Sequence, residues 1–330
     1  MTILVTGGAG YIGSHMVWRL FDEKEPVVVL DDLSTGFAEA LPPDTKLHVG
    51  DVGDEALLSG LLGSGEIDAV IHFAGSVVVP DSVADPLGYY LNNTVKSRAL
   101  MAACVAHGVK NFLFSSTAAV YGNTTVVPVP ETAPLDPQSP YGTSKLMTET
   151  MLRDTARAHD FRFMALRYFN VAGADPEGRT GQSTRNATHL IKVVAEAATG
   201  IRDKVLIFGD DYDTIDGTGV RDYIHVSDLV DAHYLAIRHL RGGGDSAILN
   251  CGYGRGYSVK QVIATMGRVA GKAIPFEIRP RRPGDCGEVV AEANRIRELL
   301  GWQPRRDDLE TILRHAYDWE SRSDARRLAG

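Results

Sequence analysis

The strongest constraint on how this chain folds is a rhythm in its first half, where short β-branched and aliphatic runs alternate with stretches of helical pattern. The runs are Ile3–Val5, Val27–Leu30, Leu47–Val49, Ala69–Phe73, Phe112–Ser115 and Phe163–Tyr168. That alternation is what a parallel sheet covered by helices on both faces requires. It predicts an α/β fold, a doubly wound parallel sheet over residues 1–172. After Gly173 the rhythm breaks into a Gly/Arg/Thr-rich loop, a helix near Leu190–Thr199, a run Val205–Phe208 and a glycine stretch Gly242–Gly244. Residues 173–330 are therefore expected to form a smaller mixed α/β domain for the substrate. Within it, Tyr223–Leu235 reads as a strand and helix that would pack back on the first domain.

At 330 residues with 44% apolar and 23% charged side chains, the chain has material for a large core and no signature of disorder. A mean hydropathy of -0.09 agrees with that. The formal charge of -8 argues against nucleic acid as a partner, while Arg279, Arg281 and Arg282 form a local cluster able to hold a small anion. Three scattered cysteines, Cys104, Cys251 and Cys286, make no CxxC pattern, so neither a disulfide framework nor a metal site is expected. The chain enters a strand at Ile3 with no basic leader or long apolar segment before it. A cytoplasmic location, with no membrane association, is the expectation.

Gly7-Gly8-Ala9-Gly10-Tyr11-Ile12-Gly13 follows the first strand and opens a helix. There a dinucleotide pyrophosphate meets free backbone N–H groups and the positive end of the helix, and missing Cβ atoms permit the close approach. Gly8, Gly10 and Gly13 satisfy GxGxxG literally, but the spacing Gly7, Gly10 and Gly13 is favoured. A tight strand-to-helix turn alone would also use such glycines; the register of Asp31 makes the loop informative. Asp31 ends the second strand, where an acid binds the adenosine ribose hydroxyls of a Rossmann-type domain. A carboxylate there repels a 2′-phosphate, and with Asp32 beside it the cofactor expected is NAD rather than NADP. Asp51-Val52 and Phe73-Ala74-Gly75 end further strands at the same crevice. The aspartate would meet the adenine, and the small Ala-Gly pair would let the chain pass close to the cofactor.

Tyr141 and Lys145 stand four residues apart, on one helix face, just after Pro140 at a helix start. A phenol with an ordinary pKa of about 10 is a poor base at neutral pH. A nearby positive charge lowers a pKa by about 1–3 pH units, so Lys145 together with a nicotinamide ring would supply the shift that base chemistry requires. Thr117 in Ser115-Ser116-Thr117, after the fifth strand, offers a hydroxyl that can bridge a substrate oxygen and Tyr141. Capping would be the bland use of the same hydroxyl.

Together TGGAGYIG, HFAG, SSTAAVYG and SPYGTSK resemble the extended short-chain dehydrogenase/reductase family. LRYFNVAGA, GTGVRDYIHVSDL and PRRPGD are similar to its UDP-hexose 4-epimerase branch, and the resemblance runs almost end to end. It implies that Thr117, Tyr141 and Lys145 are the catalytic hydroxyl, base and lysine. It further implies that Tyr11, Ile12, Asp31, Asp51, Val52, Phe73, Asn92 and Phe169 lie along NAD. Asn170, Leu190, Phe208, Arg221, Tyr223, Arg282 and Asp285 would hold the UDP moiety of a UDP-sugar, with Arg221 and Arg282 neutralising its diphosphate. Val289, four residues beyond Asp285, stands where relatives with a bulky Tyr crowd the C2 substituent, so both hexoses and N-acetylhexosamines are expected to fit. Val77 replaces a lysine that some members place against the cofactor. A homodimer is the assembly the family implies.

The same redox apparatus serves nucleotide-sugar dehydratases and decarboxylases, in which an acidic residue or pair follows the catalytic Thr. Ala118 and Ala119 occupy those places here, and a methyl group moves no proton. A non-catalytic NAD-binding sensor is the alternative from another class, against which Tyr141 and Lys145 speak.

Overall fold

The computed structural model of the protein describes residues 1–184, 187–282 and 285–328, the last six of these by backbone alone. Six strands fall where the apolar runs place them: β1 (Thr2–Thr6), β2 (Val27–Asp31), β3 (Lys46–Val49), β4 (Ile67–His72), β5 (Asn111–Thr117) and β6 (Arg162–Tyr168). With Ala247–Cys251 they form a seven-stranded sheet in the order Ala247–Cys251, β6, β5, β4, β1, β2, β3. Every neighbouring pair is parallel. The chain winds outward one way through β2 and β3 and the other way from β4, so the order reverses between β1 and β4. In such sheets a ligand crevice opens beyond the carboxyl ends of those strands.

Alternate residues of each strand feed opposite cores, because successive side chains point to opposite faces. Ile3, Val5, Ile71, Leu113 and Leu166 pack with Met16, Val17 and Leu20 of the helix Tyr11–Asp22 and with Leu229, Ile237 and Leu240 of the helix Val226–Arg241. Leu4, Leu30, Val70, Phe112 and Phe114 instead meet Leu58, Leu62, Leu100 and Leu152 from the helices Glu55–Leu62, Lys96–Ala106 and Pro140–Ala158.

The return to the first sheet runs further than Tyr223–Leu235. The whole helix Val226–Arg241 covers the sheet, and Ala247–Cys251 pairs with β6, Leu249 opposite Leu166. The rest of the second half is a separate layer. Val220–His225 is flanked by Gly256–Ser258, Glu288–Val289 and Asn170–Ala172, and Val205–Phe208 pairs with Phe276–Arg279. Its core is Ile191, Val194, Val205, Ile207, Val262, Met266, Ile312 and Leu313. Because Asn170–Ala172 directly follows β6, this layer begins at the carboxyl edge of the large sheet, over the crevice.

Candidate active site

The glycine loop closes a strand tightly onto a helix, with Gly7 N–H bonded to the Leu30 carbonyl and Gly10 N–H to the Gly7 carbonyl. Gly7 adopts a left-handed φ of 69°, and a Cβ there would lie 2.5 Å from the Ala74 nitrogen. A Cβ on Gly13 would lie 2.1 Å from the Gly7 carbonyl oxygen. Gly10 is the N-cap of Tyr11–Asp22; it offers no side-chain cap, and the first turn carries no acid, so the positive helix end is left for an anion. Tyr11 is fixed by donating its hydroxyl to the Gly173 carbonyl at 2.7 Å, while Ile12 packs on the core.

Asp31 sits at the end of β2, 7% exposed. Its two oxygens accept from Ala9 N–H at 2.8 Å and Leu33 N–H at 2.9 Å, so each keeps a lone pair for a vicinal diol. Burial raises its pKa, and those two N–H groups oppose the rise. Asp32 is exposed and turns to Ser34. Asp51 forms an ion pair with Lys96 at 2.5 Å, and Val52 is buried beside it. These residues fit a dinucleotide: a cradle that any Cβ would fill, a bare helix start, and a half-satisfied carboxylate one strand away.

Phe73, Ala74 and Gly75 continue β4 across the crevice, with Ala74 N–H bonded to Thr6. A Cβ on Gly75 would stand 3.8 Å from the Lys145 ammonium, so this segment passes directly beside the reactive helix. Asn92 donates to the Ser76 hydroxyl at 2.8 Å; Val77 beyond it is 48% exposed. Phe169, just after β6, is buried.

Of the three hydroxyls on β5, only Thr117 faces Tyr141. Ser115 pairs with the Tyr168 hydroxyl, and Ser116 donates to Glu149 at 2.6 Å on the opposite face. Thr117 leaves the strand into the turn Ala118–Val120, accepts from Ala119 N–H at 3.1 Å and lies close enough to the Tyr141 hydroxyl to hold its pKa down in part. Tyr141 enters from the helix Pro140–Ala158, which starts on the Ser139 cap, and is 8% exposed. Lys145, one turn on, donates to the Ser115 carbonyl at 3.0 Å and lies 4.9 Å over the Phe114 ring.

In the protein alone, burial raises the Tyr141 pKa above 10, and the nearby Thr117 hydroxyl pulls part of that rise back. Burial meanwhile pushes Lys145 down to about 8. With a pKa near 8 Lys145 still carries its charge at pH 7, and a bound cation beside the phenol would add to it.

The residues expected to bind the substrate lie in the second layer. Asn170 and Tyr223 are register partners, and Arg221 is partnered by Val289. The Arg221 guanidinium donates to the carbonyls of Val220, Cys286 and Gly287 at 2.8, 2.9 and 3.3 Å, which holds the segment carrying Asp285 to Val289 against the strand. Arg282 stacks on the Phe208 ring at 3.7 Å, and Leu190 opens the helix Leu190–Thr199. Asp285 is exposed, with its N–H bonded to the Arg282 carbonyl. Pro283 and Gly284 of PRRPGD lie outside the described residues.

Sequence reading passed over Asn93. It is buried in the π-turn Leu91–Val95, accepts from Ser76 N–H at 2.8 Å, and donates to the Ser76 carbonyl and the Ser144 hydroxyl. It thus ties the β4 extension to the reactive helix. No spacing distinguishes it from Asn92; only the wide π-turn decides which of two adjacent asparagines points inward.

A doubly wound sheet, a glycine cradle and a Thr/Tyr/Lys cluster at its crevice define a dinucleotide-dependent protein of the short-chain dehydrogenase/reductase class. The NAD dependent epimerase/dehydratase family matches residues 3–252, and the chain belongs to that family. The chain is 57% identical over 318 residues to a UDP-glucose 4-epimerase of Azospirillum brasilense, covering 96% of this chain and 91% of that protein. The Brucella ovis UDP-glucose 4-epimerase, solved with NAD, superposes with a TM-score of 0.94 at 41% identity, covering 97% of this chain and 98% of that one. The UDP-Glc/GlcNAc 4-epimerase of Campylobacter jejuni superposes with a TM-score of 0.86 at 46% identity over 97% of this chain and 99% of that one.

Proposed function

We propose that this chain is a UDP-hexose 4-epimerase with NAD as its resident cofactor, interconverting UDP-glucose and UDP-galactose and so serving galactose metabolism. NAD, when bound, would supply hydride chemistry at C4′ of the sugar. Gly7, Gly10, Tyr11, Ile12 and Gly13 would hold its pyrophosphate, and Asp31 with Asp32 its adenosine ribose. Asp51 and Val52 would edge the adenine, and Phe73, Ala74, Gly75, Asn92 and Phe169 would line the rest.

Tyr141 takes the 4′-hydroxyl proton as C4′ is oxidised and gives it back when the ketone is reduced. Thr117 bridges that oxygen and the phenol, easing the transfer. Lys145 orients the cofactor from its place beside Gly75 and adds charge beneath Tyr141. Asn170, Leu190, Phe208, Tyr223 and Asp285 grip UDP, with Arg221 and Arg282 on its diphosphate. The sugar, tethered through UDP, turns between the two steps and presents its opposite face.

The convergence of Thr117, Tyr141 and Lys145, followed by Ala118 and Ala119, carries this reading: oxidation has its base, and elimination has no acid. Incubation with a panel of UDP-sugars tests it, with 4-epimers resolved by chromatography. Products of unchanged mass are expected; loss of water or carbon dioxide, or no turnover with any sugar, would reject it.

Val289 supports activity on UDP-GlcNAc and UDP-GalNAc as well, since its side chain lacks the reach of a tyrosine ring beside Arg221. The relative from Campylobacter jejuni carries both sugars in its name. We further infer a homodimer, from an exposed apolar stripe on the segment 79–95, and a cytoplasmic setting, where Cys104, Cys251 and Cys286 stay free thiols. No helix among the described residues is long and apolar enough to cross a membrane.

A further inference from the structure

Beneath the reacting groups runs a line of buried polar side chains that the steps above do not use. Ser116, Arg167 and Asn250 stand side by side across β5, β6 and Ala247–Cys251. The Ser116 hydroxyl donates to Glu149 Oε1 at 2.6 Å. Arg167 closes a fork on the same carboxylate, Nε to Oε1 at 2.9 Å and Nη2 to Oε2 at 2.6 Å. From its other side Arg167 donates to the Tyr121 hydroxyl at 3.0 Å, Tyr121 donates to Asn250 Oδ1 at 2.6 Å, and Asn250 Nδ2 donates to the Val129 carbonyl at 2.8 Å. Glu149 is 0% exposed and Arg167 3%.

A buried ion pair is a poor source of stability, because desolvation offsets most of its attraction and apolar residues of the same volume do as well. Direction is what it supplies. Glu149 lies one turn beyond Lys145 and two beyond Tyr141, so the three share one buried stripe of the helix Pro140–Ala158. Lys145 grips β5 at the Ser115 carbonyl, and Glu149 grips it at the Ser116 hydroxyl. Thr117, the next residue, therefore leaves the strand at a fixed height opposite Tyr141. Arg167 orients the Glu149 carboxylate and neutralises it.

We propose that Glu149, held by Arg167, is a positioning residue: through Ser116 it sets the contact between the Thr117 hydroxyl and the Tyr141 phenol. The proposal rests on the epimerase reading and names further residues behind the same site.

Ser116→Ala tests it, because that change severs the link and leaves the Glu149–Arg167 fork intact. One hydrogen bond of ordinary strength sets the scale, so kcat should fall about threefold to tenfold, with KM for UDP-glucose and NAD content unchanged. Ser116→Thr, which keeps the hydroxyl, should recover most of the rate. A second readout needs no turnover: in protein carrying ring-labelled tyrosine, the Tyr141 NMR signal, assigned through Tyr141→Phe, should titrate at higher pH in Ser116→Ala. Unchanged kcat and unchanged Tyr141 titration would overturn the proposal, as would a loss confined to KM or to melting temperature. Wild-type protein inactive on every UDP-sugar would instead refute the epimerase reading, and the Tyr141 titration would still judge the positioning.

Discussion

At the scale of single residues, the site is defined by what burial does to two ionisable groups. Tyr141 is raised and Lys145 lowered, so both are biased toward their neutral forms. Tyr141→Phe keeps the ring in its packing and removes only the ionisable oxygen. It should abolish epimerisation while NAD, followed by absorbance of the released cofactor, stays bound. Thr117→Ala should slow turnover by about 10²-fold, the scale of a lost acid–base relay, and Thr117→Ser should be mild; steady-state rates decide. Lys145 carries a stability consequence with a definite sign. Its folded pKa of about 8 lies below the ordinary 10.5, so between those values the unfolded chain binds a proton that the folded chain lacks. Stability rises with pH across that window, and below pH 8 the cost of the buried charge is fully present. Lys145→Met should therefore unfold later than wild type at pH 7, by up to about 3 kcal/mol, the gap closing near pH 10.5. Thermal melts of NAD-free protein at both pH values check it; a gap constant with pH would show that Lys145 is not the source.

At the scale of elements, what could be read beforehand was whatever local pattern dictates. The apolar runs of β1, β2, β4, β5 and β6 and the glycine loop each declare themselves within a dozen residues, and they fix both the sheet and its crevice. Contacts made across the sheet do not declare themselves. Nothing local says that Ala247–Cys251 returns to pair with β6 or that Ser116, rather than Thr117, turns to Glu149. Strand alternation puts Ser116 and Thr117 on opposite sides without saying which of them meets Glu149. Nor does sequence show that Arg221 spends its donors on the carbonyls of Val220, Cys286 and Gly287. That bracing bears on specificity, because it seats the two-residue strand Glu288–Val289 with Val289 opposite Arg221. Val289→Tyr should selectively remove activity on UDP-GlcNAc and UDP-GalNAc while leaving the UDP-glucose pair largely intact, since apolar pockets discriminate by about 1–3 kcal/mol. Rates on both pairs read it out: equal loss on both, or wild-type inactivity on UDP-GlcNAc, would reject the gate.

At the scale of the whole molecule, the helical segment between β4 and β5 presents a face that the monomer leaves uncovered. Val79, Val83, Leu87, Leu91 and Val95 recur every fourth residue and are 42%, 64%, 77%, 55% and 52% exposed. Met147, on the helix Pro140–Ala158 packed alongside, is 43% exposed. The segment breaks at Asp85 and widens into the π-turn Leu91–Val95, so the five form a stripe along the chain by their exposure rather than by one helix face, and neighbouring large apolar side chains left in water suit an interaction surface. In the homodimer inferred above, a second copy would cover this stripe, since an isologous contact lets it meet its own image about a twofold axis. The stripe also ends beside Asn92 and Asn93 and runs along the helix that carries Tyr141 and Lys145, so docking would brace the reactive helix from outside. Leu87→Lys combined with Leu91→Asp puts charges at two exposed points of the stripe without touching the core. In sedimentation velocity the wild type should run as a dimer and the double variant as a monomer, with circular dichroism unchanged. The monomer should retain NAD but turn over more slowly. A variant that stays dimeric would move the interface off this stripe, and a wild type that runs as a monomer at micromolar concentration would rule out the dimer.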